Sequence, residues 1–247
     1  MDRYLIFLDI DGTIFDGQRI SDRVISAIGE ARKEGHKVFI NTGRSFGNIT
    51  EDIKSVGVDG FVTGLGTAVR VDGKVIRSCT MKKEKAKELA SYLLKRKLRS
   101  CFECEDGSVF MNTDRDRNLS SPEELDGKFA DIIISKFTVF DKLNEDDIAF
   151  FEKDFTVFQY ENYSEGVKKG YSKAKGMEIA GNFLGVGRDH MMAIGDSMND
   201  FDMIAYAGIS VAMGNADIRL KKKAKYITET LWDDGAAAAI EKYILGR

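Results

Sequence analysis

The chain has 247 residues, a formal net charge of -3, 43% hydrophobic residues and 31% charged residues. That length can bury a large core in one or two domains, and the composition is that of an ordinary globular protein. The charge gives no basis for a nucleic-acid or anionic-membrane partner, no apolar run is long enough to span a bilayer, and three cysteines do not make a disulfide framework.

The chain opens on Leu5-Ile6-Phe7-Leu8-Asp9-Ile10-Asp11-Gly12-Thr13, an apolar run that ends in two carboxylates, a glycine and a hydroxyl. Such a run reads as a strand buried on both faces. Its acidic residues and the lack of a small-residue cleavage site give the expectation of no secretory leader and a cytoplasmic protein. Ser21 is placed as the cap of a helix carrying Val24, Ile25, Ile28 and Ala31 on its apolar face, and Gly35 as its end. The strand Lys37-Val38-Phe39-Ile40-Asn41 follows and runs into Thr42-Gly43-Arg44-Ser45. A helix is expected next, with Phe46, Ile49, Ile53 and Val56 inward, then a short strand over 60–63. This alternation predicts a parallel sheet with right-handed crossovers. Asp72-Gly73 between two β-prone runs predicts a hairpin.

Near Met81 the pattern changes. A charged helix is expected over 82–97, then a hairpin turning at Asp106-Gly107, strands at 132–134 and 137–140, a helix capped by Asn144, and two closing strands. Hairpins with a few helices suggest a separate α+β unit, placed at 81–169. Cys101 and Cys104 form half of a tetrahedral metal site, with His36 and His190 distant, and read instead as reduced thiols packed in a strand. The α/β alternation then returns: Ser172 caps a helix, Met191-Met192-Ala193-Ile194 is a buried strand, and Gly235 begins the last helix. Lys221-Lys222-Lys223 reads as a solvated helix end.

Several polar groups fall at the carboxyl ends of these strands or at the helix starts beside them: Asp9 with Asp11, Thr42, Lys173, and Asp196 with Asp200. An open α/β sheet gathers its strand ends along one edge, where ligands bind. Carboxylates gathered there repel one another, and hard oxygen donors suit Mg2+. The plainer readings are an Asp-Gly turn for Asp11-Gly12 and a capping box for Ser197 with Asp200. Neither accounts for Asp196 at the end of a buried strand. Lys173 at a helix start is mildly disfavoured by the helix dipole, and an anion beside it would explain it. A cation, a phosphate and a spare carboxylate together suggest phosphoryl transfer, because an ionised carboxylate needs no base to act as nucleophile.

These residues resemble the four motifs of the haloacid dehalogenase-like superfamily, in particular its Cof-type phosphatases. Asp9-Ile10-Asp11-Gly12-Thr13 is similar to the first motif, Thr42-Gly43-Arg44 to the second, Ser172-Lys173 to the third, and Gly195-Asp196-Ser197-Met198-Asn199-Asp200 to the fourth. The resemblance implies a Rossmann-like parallel-sheet core with helices on both faces, formed by 1–80 and 170–247, and an inserted α+β cap domain over 81–169 that selects substrate. It implies Asp9 as the nucleophile that forms an aspartyl-phosphate and Asp11 as acid, then base. It further implies Mg2+ held by Asp9, Asp11, Asp196 and Asp200, and phosphate bound by Thr42, Gly43, Lys173 and Asn199. One departure is visible: relatives often carry Asn-Gly-Ala after the third strand, where this chain has Thr63-Gly64-Leu65-Gly66-Thr67-Ala68.

The expected activity is hydrolysis of small phosphorylated metabolites, with sugar phosphates first and pyridoxal phosphate or flavin mononucleotide as further classes. Arg44, Glu103, Glu105 and Arg115 are named for the leaving group, with exposed surface charge as the plainer reading. A phosphomutase of the same superfamily and a non-catalytic phosphometabolite-binding module stay open on the sequence alone.

Overall fold

Leu5–Leu8 (β1) has no polar side to show to water, and all four side chains are fully buried. In the computed structural model, which describes residues 3–247, β1 lies inside an eight-stranded sheet. Its parallel neighbours are Lys37–Asn41 (β2) on one side and Met191–Gly195 on the other, with Leu8 level with both Ile40 and Ile194. Phe7 stacks on Phe39 at 5.0 Å between ring centroids. The sheet continues past β2 through Gly60–Thr63 (β3), parallel, and then Ala68–Val71 (β4), antiparallel, with Lys74–Ser78 (β5) at the edge. Asp72 and Gly73 turn the β4–β5 hairpin with φ of 48° and 77°, the paired positive φ that a two-residue turn of the mirror type demands.

Asp22–Lys33 (α1) follows β1, with the Ser21 hydroxyl accepting from Val24 N at 3.2 Å. The helix expected after Ser45 is much shorter than its apolar spacing suggested. One 3-10 turn, Phe46–Asn48, is followed by the single turn Glu51–Lys54 (α2). Ile49, Ile53 and Val56 are still buried. The interruption has a cause distant in sequence: Ser45 N and Asn48 Nδ2 donate to the Glu103 carboxylate, at 3.3 and 3.1 Å, instead of serving a continuous helix.

The chain divides into two contact units. One comprises 1–43, 50–77 and 172–247; the other comprises 44–49 and 78–171. In the second unit, Lys83–Lys95 (α3) leads into a five-stranded antiparallel sheet. Its strands are Ser100–Cys104 (β6), Gly107–Met111 (β7), Ile134–Val139 (β8), Phe155–Gln159 (β9) and Ser164–Lys168 (β10), in the order β7-β6-β8-β10-β9. The two strands expected over 132–140 are one, β8. Glu145–Phe151 (α4) carries the expected cap, with Asn144 Oδ1 accepting from Asp147 N at 2.9 Å.

One face of this second sheet carries Phe102, Val109, Phe137 and Val139 into an apolar core with Leu89, Leu93 and Phe151. The opposite face pairs Glu103 with Lys136 and Thr138 with Glu165 across the strands. Lys136 is fully buried between the Glu103 and Glu165 carboxylates. Burial works to lower its pKa, but the two carboxylates outweigh burial and hold it above the ordinary lysine value. Cys101 and Cys104 are buried in β6 as free thiols, pushed up to about 12 by burial, which suits the packing role and not that of a metal or redox pair.

Returning to the first unit, Lys173–Leu184 (α5) precedes Met191–Gly195 (β11), and Phe201–Tyr206 (α6) precedes Ile209–Ala212 (β12). Ile218–Lys223 (α7), the two-residue strand Tyr226–Ile227 (β13) and Gly235–Tyr243 (α8) complete the chain. The parallel order β13-β12-β11-β1-β2-β3 runs outward in both directions from β1, so the strand order reverses beside it. α1 packs on α8, while α5 packs on α6 and on β3 and β4. Among the described residues no helix is long and apolar enough to cross a membrane.

Candidate active site

The point where strand order reverses is where the first unit concentrates charge. The Asp9 backbone continues the β1–β11 ladder, donating to Ile194 O at 3.1 Å, which sets its side chain beside the end of β11. Lys173, the first residue of α5, reaches the same place. Its Nζ lies 2.6 Å from Asp9 Oδ1 and 2.6 Å from Asp200 Oδ1. Lys173 and Asp200 are fully buried and Asp9 is 4% exposed. Stripping an ammonium of water costs several kcal/mol, and only well-placed anions offset that cost. The anion expected beside Lys173 is therefore this pair of carboxylates. The helix start itself is served separately: Ser172 Oγ accepts from Lys175 N at 3.2 Å and Asp202 Oδ2 from Ala174 N at 3.1 Å.

Asp200 combines the two roles weighed for it. One oxygen accepts from the backbone N–H groups of Asp196 and Ser197, at 2.9 and 3.0 Å, as in a cap; the other accepts from Lys173. Asp196 completes the group, its Oδ1 receiving the Thr13 hydroxyl at 3.4 Å. Asp9, Asp196 and Asp200 each offer an oxygen, all mutually within 4.8 Å. Three carboxylates against one lysine leave two negative charges in excess. The consequence is visible in the proton affinities. Burial first, then the Asp200 charge, raises Asp9 well above the usual carboxylate range, against the lowering effect of Lys173. The same two causes raise Asp196 to about 7. The two aspartates raise Lys173 above the ordinary lysine value in spite of its burial. An all-oxygen donor set with surplus negative charge fits a hard divalent cation such as Mg2+.

Close packing holds this arrangement. Gly12 has φ of 76°, and a Cβ there would stand 2.4 Å from Asp196 Oδ2. The loop that departs from the family pattern folds against α5: Gly66 has φ of 85°, and a Cβ there would meet Ser172 O at 2.0 Å. Leu65, held at φ of 55°, donates its N–H to Thr42 O at 3.2 Å. That loop thereby ties the end of β2 to the start of α5 without the asparagine of relatives.

The other expected residues fall as follows. Thr42 and Gly43 are buried at the end of β2, next to the strand that bears Asp9. Asp11 is exposed in the turn after Asp9, bridged in its backbone to Phe15. Asn199 is half-buried and accepts from Ser197 Oγ at 2.9 Å. Arg44 begins the short segment that belongs to the second unit, where its guanidinium donates to Asn48 O at 3.5 Å. Glu103 is not loose surface charge: at 8% exposed it accepts from Thr138, Ser45 and Asn48 besides Lys136. Glu105 lies in the turn after β6, and Arg115 in the loop after β7, over the Phe110 ring at 5.6 Å.

Three residues to which the sequence reading gave no role of their own support the site. Thr13 orients Asp196. Asn41, fully buried, donates to Lys173 O at 3.2 Å. Asn215 donates to Gly12 O at 2.8 Å and accepts from Leu231 N at 2.9 Å, tying the Asp11 turn to a distant loop. Asn41 has one signal, that of a polar residue ending an apolar strand; Asn215 has none.

A buried lysine shared by two carboxylates stands at the crevice of a doubly wound sheet, within an acidic cluster that could hold a metal ion. The chain belongs to the haloacid dehalogenase-like hydrolase family, whose model matches residues 6–240, and within it to the Cof-type phosphatases. It is 30% identical over 253 residues to the 5-amino-6-(5-phospho-D-ribitylamino)uracil phosphatase YcsE of Bacillus subtilis, covering 99% of this chain and 97% of that protein. It is 28% identical to a phosphoglycolate phosphatase of Methanobrevibacter smithii, covering 97% and 98%. Among solved structures, the subclass IIB sugar phosphatase BT4131 superposes with a TM-score of 0.79 at 24% identity, over 97% of this chain and 98% of that one.

Proposed function

We propose that the chain hydrolyses phosphate monoesters of small metabolites, sugar phosphates first among them, through an aspartyl-phosphate on Asp9 with Mg2+ as cofactor. The observation that carries this reading is the Lys173 ammonium held 2.6 Å from Asp9 and from Asp200, with Asp196 completing the carboxylate group.

Asp9 attacks phosphorus, and the bond to the ester oxygen breaks. Asp11, exposed in the following turn, gives its proton to that leaving oxygen. It then takes a proton from a water, which attacks phosphorus and returns Asp9 as a carboxylate. Lys173 holds the Asp9 carboxylate in place and offsets the charge of the arriving phosphate, with Thr42, Gly43 and Asn199 as further phosphate contacts. Asp9, Asp196, Asp200 and the Asp11 carbonyl would hold the cation. Bound there, Mg2+ supplies a Lewis acid that polarises the phosphoryl oxygens. In this reading the second unit serves as the cap that selects the leaving group, with Arg44 as its candidate contact. Two relatives support the sugar-phosphate class by name: one acts on a phosphoribityl compound and the other is a sugar phosphatase.

The test is phosphate release from a panel of phosphorylated metabolites, with Mg2+ and with EDTA. Release with Mg2+ that EDTA removes is expected, with sugar phosphates at the highest kcat/KM. Undiminished release in EDTA would exclude the cation.

Metal binding is also expected to depend on pH. A cation must displace the proton that Asp196 holds up to about pH 7. The Mg2+ dissociation constant, followed by calorimetry, should be flat above that value and rise about tenfold per pH unit below it, more steeply where Asp9 also takes up a proton. The linkage to stability has the opposite sense. Both carboxyls bind protons more tightly folded than unfolded, so the metal-free protein gains stability as pH falls from about 7 and loses it as pH rises. An affinity that does not change between pH 5 and 8 would remove these carboxylates from the ligand set.

A further inference from the structure

A cavity of 220 Å³ opens in the second unit beside the first turn of α3. Its floor is apolar, made by Met81, Phe155 and Cys79, and three lysines, Lys82, Lys85 and Lys168, stand around it. Lys85 is shared with Asp154 at 2.8 Å and with Glu88. Lys82 and Lys168 pair with no carboxylate among the described residues, so the wall carries two positive charges in excess of Asp154.

Two further features point to an anion. The first in-helix bond of α3 is donated by Ala86 to Lys82 O at 2.9 Å, and Lys82 provides no side-chain cap, so the N–H groups of residues 83–85 are left to a partner outside the helix. Ser135, only 7% exposed, lines the cavity from β8, and its hydroxyl makes no hydrogen bond to any described residue. Its oxygen is not among the fully buried unpartnered atoms, so the hydroxyl is open to the cavity and free to donate to an anion there.

We propose that this cavity is a binding site for a small organic anion, in which the anionic group meets Ser135, the α3 N-terminus and the lysines while an apolar ring lies on Met81 and Phe155. Size supports one ring, since an apolar cavity of about 150 Å³ accommodates benzene. The apolar floor excludes a bare inorganic ion as the best occupant. Every wall residue lies within 78–171, so no member of the carboxylate cluster lines the cavity and the proposal does not depend on the proposed reaction. Cys79–Lys82 are among the first residues after the chain enters the second unit at 78, and Lys168 lies shortly before it leaves at 171. An occupant therefore lies close to two of the four places where the chain passes between the units.

Cys79 provides a reporter that needs no turnover. Iodoacetamide at pH 8 should label Cys79, while Cys101 and Cys104 stay unmodified. Phenylphosphonate carries a ring and a dianion and has no ester to hydrolyse. At ten times its dissociation constant it should slow Cys79 labelling about tenfold. Inorganic phosphate and benzyl alcohol, each with one half of that chemistry, should protect far less at the same concentration. Ser135→Ala and Lys168→Ser should each weaken protection about fivefold or more without moving Tm. The Asp9→Asn protein should show full protection, which separates this site from the active site. Absence of protection, equal protection by phosphate alone, or protection untouched by both cavity substitutions would overturn the proposal.

Discussion

Asp9→Asn should lower kcat for phosphate release by about 10⁴-fold or more, because a carboxamide at neutral pH is not a nucleophile toward phosphorus. The protein should fold as before. Asn keeps an oxygen to accept from Lys173, at present 2.6 Å from Asp9 Oδ1. Stability should if anything rise. Burial and the Asp200 charge already favour the protonated, neutral form of Asp9, and the amide resembles that form. The expected pair of results at pH 7.5 is a lost activity with Mg2+ present and, in metal-free buffer, a Tm equal to or above that of the parent. Lost activity with a collapsed Tm would show that Asp9 is chiefly structural.

Lys173→Met should give the contrasting pair. Here activity and stability fall together, since Asp9 and Asp200 stay buried with their shared cation gone. Breaking a buried ion pair from one side costs about 3–5 kcal/mol. The cost should depend on pH in a defined direction. Without the ammonium, which now lowers its pKa, Asp9 holds its proton to higher pH, and the protonated form is not penalised. The Tm deficit against the parent is therefore largest near pH 8 and shrinks toward pH 5. The rate should fall by at least about 10³-fold, the scale seen when a preorganised charge or donor facing a transition state is removed. A variant with parental Tm at pH 8 would mean that the two 2.6 Å contacts contribute little.

Asp9→Asn and Lys173→Met probe residues that are legible in the sequence alone. A strand that is apolar throughout and then ends in a carboxylate announces a buried strand end, and Asp9 and Asp196 both follow that rule. Ser21, Asn144 and Ser172 are readable as caps because the hydrogen bonds they accept come from three residues away. Asp72-Gly73 marks its hairpin for the same local reason.

Interactions set by distant pairing are hidden from such a reading. The segment after Ser45 has the apolar spacing of a full helix, but Glu103, 55 residues from Asn48, takes its amide and interrupts it. Lys136 looks like any strand lysine until β6, β8 and β10 align and place it between Glu103 and Glu165. Asn215 joins Gly12 across 203 positions. The double role of Asp200 is hidden as well. A capping box and a charge partner are alternative readings of one side chain in sequence, and two oxygens of one carboxylate in space.

The measurement that tests the account most directly is chemical trapping of the intermediate. Asp11→Asn keeps the nucleophile and loses the acid and base. Given Mg2+ and acetyl phosphate, whose leaving group needs no acid, it should phosphorylate and then stall, with hydrolysis slowed about 10²–10⁴-fold. Borohydride reduces an acyl phosphate to an alcohol, so the peptide containing Asp9 should carry homoserine at that position. Homoserine at Asp9, absent when Mg2+ is omitted, is the predicted result. Turnover with no reduction at Asp9, or reduction at another aspartate, would contradict it.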